Sequence, residues 1–233
     1  FNLIVMYMPT KAIYAKLNKL NYKLADGDKK DKANAAKKVD KLGYDIKSSK
    51  RGGHIFASRD NNDLHHVVTV KGTNPTNVKD LMSDVHLAIG KSSTDKRFKR
   101  RTNEIKKIYS GIDNNEVKYL TGHSLGGSIV AHAMTKSKSI RDNTKGASTF
   151  NLGYTPAFHT ELSKDLTTAD KKIKTKLTHH HQSGDLISGA LAIKSVGKVV
   201  VQKKASSNPH SLDNFISDKS LKDDKPYEAP MEE

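Results

Sequence analysis

The chain of 233 residues contains no cysteine and no tryptophan. Without cysteine there is no disulfide, no thiolate nucleophile and no cysteine-ligated zinc, and nothing marks a redox compartment. Aromatic residues are few at 6%, and hydrophobic residues reach 35%, lean but above the range in which chains stay disordered. Long apolar runs are missing too. The N-terminal stretch FNLIVMYM has eight residues, whereas a membrane-spanning helix needs about 20. It reads as a buried strand or turn, or as the remnant of a longer hydrophobic segment. Because the chain begins at Phe1 rather than Met, removal of an upstream segment is expected; a soluble or peripheral-membrane location is compatible with that, as is secretion. Acidic residues are scarce as well: 25 against 41 lysines and arginines, a formal charge of +16. Such a field attracts nucleic acid, anionic lipid or an acidic partner. It serves equally as a self-repelling surface that maintains solubility.

The length suits one substantial core and is too short for two. Ile13, Leu17, Leu20 and Leu24 recur at helical spacing after Pro9, and residues 31–42 predict a lysine-rich helix stopped by Gly43. YDIKSS and HIFASRD flank Gly52 and Gly53 as a hairpin, and LHHVVTV (64–70) suits a buried strand. Val78, Leu81, Met82, Val85 and Ile89 mark an amphipathic helix ended by Gly90. A basic helix follows over 94–110. VKYLT (117–121) predicts a strand that runs into TGHSLGG, with LGGSIVAHAM continuing as a helix. Residues 147–153, 172–179 and 198–203 supply three more strands. The expected fold is α/β: a mixed, mostly parallel sheet with helices on both faces, antiparallel at its N-terminal side. One domain over 1–216 and a flexible acidic tail over 217–233 complete the expected organisation.

GHSLG, at 122–126, places Ser124 between two glycines at a strand-to-helix junction. A serine held in a strained turn needs very small residues two positions before and after it, and Gly122 and Gly126 meet that need. The alternative is an inert serine in a glycine-rich turn. A serine nucleophile requires a base, and the base an orienting carboxylate. Where a strand–elbow–helix carries the serine, the chain order is serine, acid, histidine. His132 lies two turns into the helix and points away. The run His179, His180, His181 has no cysteine or carboxylate at ligand spacing and reads as structural or surface, not as a metal site. His210 stands in a loop after the last strand. Asp142, Asp165 and Asp170 lie in polar linking segments, whereas Asp185 follows directly on a strand, where functional loops gather. The separations of 61 and 25 residues each leave room for an intervening strand. Ser124, Asp185 and His210 are therefore the expected catalytic set.

VTVKGT, TGHSLGG, FNLGYTP, GDLIS and NPHSLDNF occur in the order and rough spacing of class 3 lipases, so the chain from about residue 60 to 216 resembles these α/β-hydrolases, which are similar to fungal triacylglycerol lipases. The resemblance implies a carboxylic ester hydrolase with Ser124, Asp185 and His210. It also implies an oxyanion hole from Thr73, in KGT, and the backbone N–H of Leu125, with Asp84 bracing the loop. KGT also reads as a plain strand-ending turn. Two departures stand out. Lys71 replaces the arginine usual before the oxyanion pair, and the tryptophan common in the lid region is absent. The helix over 76–89 falls where related lipases carry a lid, and equally suits a core-packing role.

The chemistry so implied is two-step acyl transfer without cofactor or metal. Six basic side chains in KSSTDKRFKRR (91–101) surround Phe98, and Lys106 and Lys107 follow. With a hydrophobic helix beside it, such a face would dock on anionic membrane and favour lipid esters as substrates. The competing readings are a basic protein binding membrane or nucleic acid on an inactive hydrolase fold, and a plain nucleic-acid binder. The latter is disfavoured by the lack of a stacking platform or recognition motif.

Overall fold

A computed structural model describes residues 8–48, 53–61, 63–72, 96–153, 170–185, 196–202 and 208–216, together with Phe158, Thr160 and Leu162. The described strands are β1 (Tyr44–Ser48), β2 (Gly53–Ser58), β3 (His65–Val70), β4 (Val117–His123), β5 (Gly146–Phe150), β6 (Leu177–Gln182) and β7 (Lys198–Gln202). They form one sheet in sequential order. β1, β2 and β3 pair antiparallel, and β3 to β7 pair parallel. The expected α/β architecture, antiparallel at its N-terminal side, is the one observed.

Sequential order has a consequence for the layers. Parallel connections cross over right-handed, so steps that all go in one direction place their helices on one face. The connecting helices α3 (Lys96–Ser110), α4 (Leu125–Lys136), α5 (Lys138–Asn143) and α6 (Asp170–Lys176) contribute to a single apolar cluster with Val68, Val70, Leu120 and Ala147. Among the described residues the other face is covered chiefly by the N-terminal helices α1 (Lys11–Asp26) and α2 (Lys29–Lys41). These pack on Phe56, Val67, Tyr119 and Phe150, joined by Leu212 and Phe215 of a short 3₁₀ turn (Leu212–Phe215). Neighbouring strand residues such as Val67 and Val68, or Tyr119 and Leu120, divide between the two clusters, as the two-residue strand period requires.

Local chemistry sets the helix ends. Thr10 Oγ1 accepts the Ile13 N–H and Asp28 accepts that of Asp31, so α2 starts two residues before the expected position. Gly43, at φ 81°, ends it. The face that α1 buries differs from the expected apolar stripe. Tyr14, Leu17, Asn18, Leu20 and Asn21 point inward, while Ile13 and Leu24 are only partly covered. Asn18 is satisfied from the sheet: its Nδ2 donates to Thr121 Oγ1 (2.7 Å), whose own proton goes to the Ser148 carbonyl (2.8 Å).

One expected strand is displaced. Residues 170–176 are helical and the strand begins at Leu177, so His179, His180 and His181 lie within β6 and not at its end. Alternation of Ile173 with lysines satisfies a strand pattern, but the helix buries Ile173 and exposes Lys174. All three histidines are buried; 179 and 181 lie 6.4 Å apart ring to ring, and His180 stacks on Phe150. The run is therefore structural, not surface. Among the described residues no group of three ligating side chains could hold a metal ion, and no helix is long and apolar enough to cross a membrane. The helix expected over 76–89 and the acidic tail lie outside the described residues.

Burial keeps these imidazoles neutral. Desolvation, then the charges of Lys11, His181 and Lys198, lowers His180 from 6.5 to about 3; desolvation brings His181 to about 4, with Asp185 opposing it. His132, buried against Lys136, falls to about 4. The unfolded chain takes up these protons near pH 6.5 and the folded chain only near pH 3 to 4, so stability is complete above pH 6.5 and is lost as pH falls. Each group contributes roughly 1.4 kcal/mol per pH unit inside that window. Urea midpoints should therefore drop steadily between about pH 7 and about pH 5, before most carboxylates titrate. A flat profile there would contradict the buried, neutral assignment.

Candidate active site

Ser124 sits at the junction of β4 and α4 with φ 56° and ψ −129°, a backbone region that costs about 1–3 kcal/mol for a residue with a side chain. Its surroundings leave the chain no alternative. A Cβ on Gly122 would lie 2.4 Å from the Gly126 carbonyl oxygen, and one on Gly126 would lie 2.1 Å from that of Val70. The turn is pinned by the Ser124 N–H donating to the Phe150 carbonyl (3.0 Å) and by Ser128 Oγ donating to the Gly153 carbonyl (2.8 Å). The Ser124 side chain is fully buried, and its Oγ has no hydrogen-bond partner.

His210 lies in the loop before the 3₁₀ turn. Its Nδ1 is 3.0 Å from Oδ2 of Asp185, which stands just past the end of β6, and both side chains are at most 5% exposed. A carboxylate only accepts, so Nδ1 carries a proton, and in the neutral ring that tautomer leaves the lone pair on Nε2. Nε2 is buried without a hydrogen-bond partner. The loop is held from several sides. The His210 N–H donates to Asn208 Oδ1 (3.1 Å), and Asn214 Nδ2 donates to the carbonyls of Asn208, Pro209 and Ser211. Asn151, at φ 41° just after β5, donates from Nδ2 to the Pro209 carbonyl (2.8 Å) and accepts the Gln182 N–H (2.9 Å). It thus ties the ends of β5 and β6 to the histidine loop, in a left-handed conformation that asparagine tolerates.

His123 joins that loop to the elbow. Its ring is 4.8 Å from that of His210, and its Nε2 lies 2.9 Å from the His210 carbonyl. Desolvation, reinforced by the neighbouring His210, lowers His123 to about 3, so it is neutral. A carbonyl accepts only; Nε2 therefore carries the proton and Nδ1 is an acceptor. Tyr22 Oη, 3.2 Å away, donates to it, burial having pushed the phenol up so that it keeps its proton. Tyr22 Oη in turn accepts the Gly72 N–H at 3.2 Å. Gly72 is pressed on the elbow: a Cβ there would lie 2.7 Å from the His123 carbonyl oxygen and 3.0 Å from the Gly126 nitrogen. Two ion pairs of α1 support the same arrangement, Asp26 with Lys71 and Lys19 with Asp213.

The structure thus brings Asp185 and His210 into hydrogen-bond contact and holds the His210 loop against the residue next to Ser124. Leu125 opens α4 and is buried; N–H groups in a helix's first turn have no partner within the helix. Thr73 and Asp84 lie outside the described residues. Asp142, considered as the acid, pairs instead with Lys138 (2.6 Å). His132 packs away from the elbow, against Phe98 and Thr102. Phe98 itself is fully buried, so the basic segment is a cationic helix face with its aromatic turned inward: Lys96, Arg97, Lys99, Arg100, Lys106 and Lys107 are exposed. Sequence reasoning missed Tyr22, Asn151 and the structural part played by His123. The last two lay within quoted motifs; Tyr22 carried no local signal.

Tyr22→Phe removes one oxygen and leaves both His123 Nδ1 and the Gly72 N–H without their partner. A loss of about 1–3 kcal/mol in denaturant unfolding is expected, the range for orphaned buried polar groups. Unchanged stability would mean that the Gly72–Tyr22–His123 chain does not form.

No family model matches the chain, and no curated protein matches it. Among solved structures it is similar to a lipase from Rhizopus microsporus var. chinensis, with TM-score 0.42 and 11% identity over 93% of this chain and 89% of that one. It is similar also to Est1E from Butyrivibrio proteoclasticus, with TM-score 0.40 and 13% identity over 75% and 93%. A CIB-like hydrolase from Thermoplasma acidophilum gives TM-score 0.38 and 10% identity over 75% and 95%. Likeness at this level carries no argument about reaction or substrate.

Proposed function

We propose that the chain is a serine-dependent carboxylic ester hydrolase acting on lipid esters, as a triacylglycerol lipase or with phospholipase A1-like activity. One observation carries the reading. The His210 imidazole is oriented by Asp185 at 3.0 Å, while its Nε2 and the Ser124 Oγ are both buried without hydrogen-bond partners. Buried polar atoms left unpaired are costly in a folded chain, as is the serine's backbone strain. Both are intelligible if the reaction uses them.

In the proposed reaction Nε2 of His210 takes the hydroxyl proton as Ser124 attacks the ester carbonyl. Asp185 holds the ring in the tautomer that leaves Nε2 free and stabilises the imidazolium that forms. The developing oxyanion rests on the Leu125 N–H and on Thr73, each such donor supplying about 3–4 kcal/mol. The alcohol leaves with the proton from His210, and water then attacks the acyl-enzyme with the same ring as base. The exposed cationic face of α3 would dock the protein on anionic lipid, at about 1 kcal/mol for each basic residue near the surface. The same face suits the second reading, a non-catalytic protein bound to anionic membrane or nucleic acid. That reading leaves the strained serine and the Asp185–His210 pair without a purpose.

Turnover of a soluble short-chain ester should fall by about a thousandfold or more in Ser124→Ala and in Asp185→Asn, with the fold intact by circular dichroism. A folded Ser124→Ala protein as active as the parent would exclude the serine mechanism. On phospholipid vesicles, phosphatidylserine should raise turnover, and raising salt from about 0.05 M to about 0.5 M should lower it, with soluble-ester turnover unaffected by salt. Indifference to both would remove the docking surface.

A further inference from the structure

Of the hydrogen-bonding groups of His210, all but Nε2 are taken. Its N–H donates to Asn208 Oδ1 (3.1 Å), its Nδ1 faces Asp185 Oδ2 (3.0 Å), and its carbonyl accepts from His123 Nε2 (2.9 Å). The carbonyl bond is the one that reaches the elbow, because His123 ends β4 and immediately precedes Ser124. The pairing of β4 with β5, His123 beside Phe150, fixes that backbone. Base and serine are therefore both held to one short piece of strand.

The three histidines of β6 each leave at least one ring nitrogen without a partner, whereas His123 uses both. Its nitrogens have opposite roles: Nε2 donates to the His210 carbonyl, and Nδ1 accepts from Tyr22 Oη, which itself accepts the Gly72 N–H. The donors point one way along the whole chain, from Gly72 through Tyr22 and His123 to His210, and bonds arranged in this sense polarise one another. Because Tyr22 donates to Nδ1, the neutral His123 ring must carry its proton on Nε2. That ring stands edge-on to Tyr22, with centroids 5.8 Å apart, and the residue is 2% exposed. Desolvation, with the neighbouring His210, lowers His123 to about 3, so no second positive charge arises beside His210 when the base takes a proton.

We propose that His123 is a positioning residue for the base: through the His210 carbonyl it sets where Nε2 stands relative to Ser124. Tyr22 extends that control to Gly72, the residue before Thr73. The kinetic consequence rests on the serine-hydrolase reading; the structural one rests on the hydrogen-bond chain alone. Misplacing a reacting group by about 1 Å costs up to about a hundredfold in rate. Such a loss falls on kcat and not on KM, since the binding of the substrate's ground state is untouched.

Two substitutions divide the ring's functions. In His123→Asn the side chain keeps an acceptor where Nδ1 was and loses the donor at the Nε2 position; in His123→Gln it keeps a donor there. On a soluble short-chain ester, His123→Asn and Tyr22→Phe should lower kcat about tenfold or more with KM within about twofold. His123→Gln should recover most of the loss seen in His123→Asn. Tyr22→Phe, which removes one oxygen, carries the test should His123→Asn not fold. Tyr44→Phe controls for stability alone: Tyr44 is also buried and bonded to a histidine, His65 at 2.9 Å, at the opposite end of the strands from the serine. It should leave kcat unchanged. The low-field proton NMR signal of the Asp185–His210 hydrogen bond gives a readout without turnover; it should move in His123→Asn and stay in Tyr44→Phe. That shift in a parent that hydrolyses no ester would support the positioning and remove the hydrolase reading. Parent-like kcat with an unmoved signal in His123→Asn, or an equal kcat loss in His123→Gln, would overturn the positioning and leave the serine mechanism standing.

Discussion

Three stretches of backbone meet at Gly72, Gly122 and Gly126 with no room for a Cβ on any of them. That contact fixes where β4 can turn into α4. It forces Ser124 into a conformation that a free chain would leave. Packing density does the enforcing: carbonyl oxygens 2.1–2.7 Å from the position of a missing Cβ permit no relaxed alternative. The features that suggest chemistry sit around this junction: the buried N-terminus of α4, the end of β5 at Asn151, and the loop bearing His210.

The N-terminal helix is the second requirement. A sheet whose strands follow in sequence order receives its connecting helices on one side, so α1 has the opposite face to cover. In covering it, α1 also reaches the junction. Tyr22 links Gly72 to His123, Asp26 pairs with Lys71, and Lys19 pairs with Asp213 beyond the histidine loop. One element therefore holds both the glycine strand end and the His210 segment.

Much of this was legible before any coordinates. Glycines two residues either side of Ser124 announce a steric requirement that does not depend on the rest of the fold, and the alternation of strands and helices announces an α/β sheet. Chain order singles out Asp185, just past a strand end, and His210, in a loop after the last strand, and the two are in hydrogen-bond contact. Other parts were hidden for identifiable reasons. Tyr22 looked like any helical tyrosine, since its partners are 50 and 101 residues away. The histidines of β6 read as structural or surface, because three imidazoles in a core run against ordinary hydropathy; the fold buries them neutral. Period alone could not separate α6 from β6, because Lys-Ile-Lys-Thr-Lys-Leu fits a strand and a short helix alike. Phe98, amid six cations, turns inward, so the segment keeps its charge outside and its aromatic in the core.

The excess of positive charge falls on more than one surface: the outer face of α3, and a cavity near the strand starts, at the opposite ends of the strands from the serine. These are separable from the central claim, which concerns a hydroxyl and an imidazole. That claim is tested most directly by covalent labelling with a fluorophosphonate probe followed by peptide mapping. The account predicts a single adduct on Ser124, formed by the folded protein and lost both on unfolding and in His210→Ala. Failure of the folded protein to label at Ser124, or labelling that persists unchanged without His210, would contradict it.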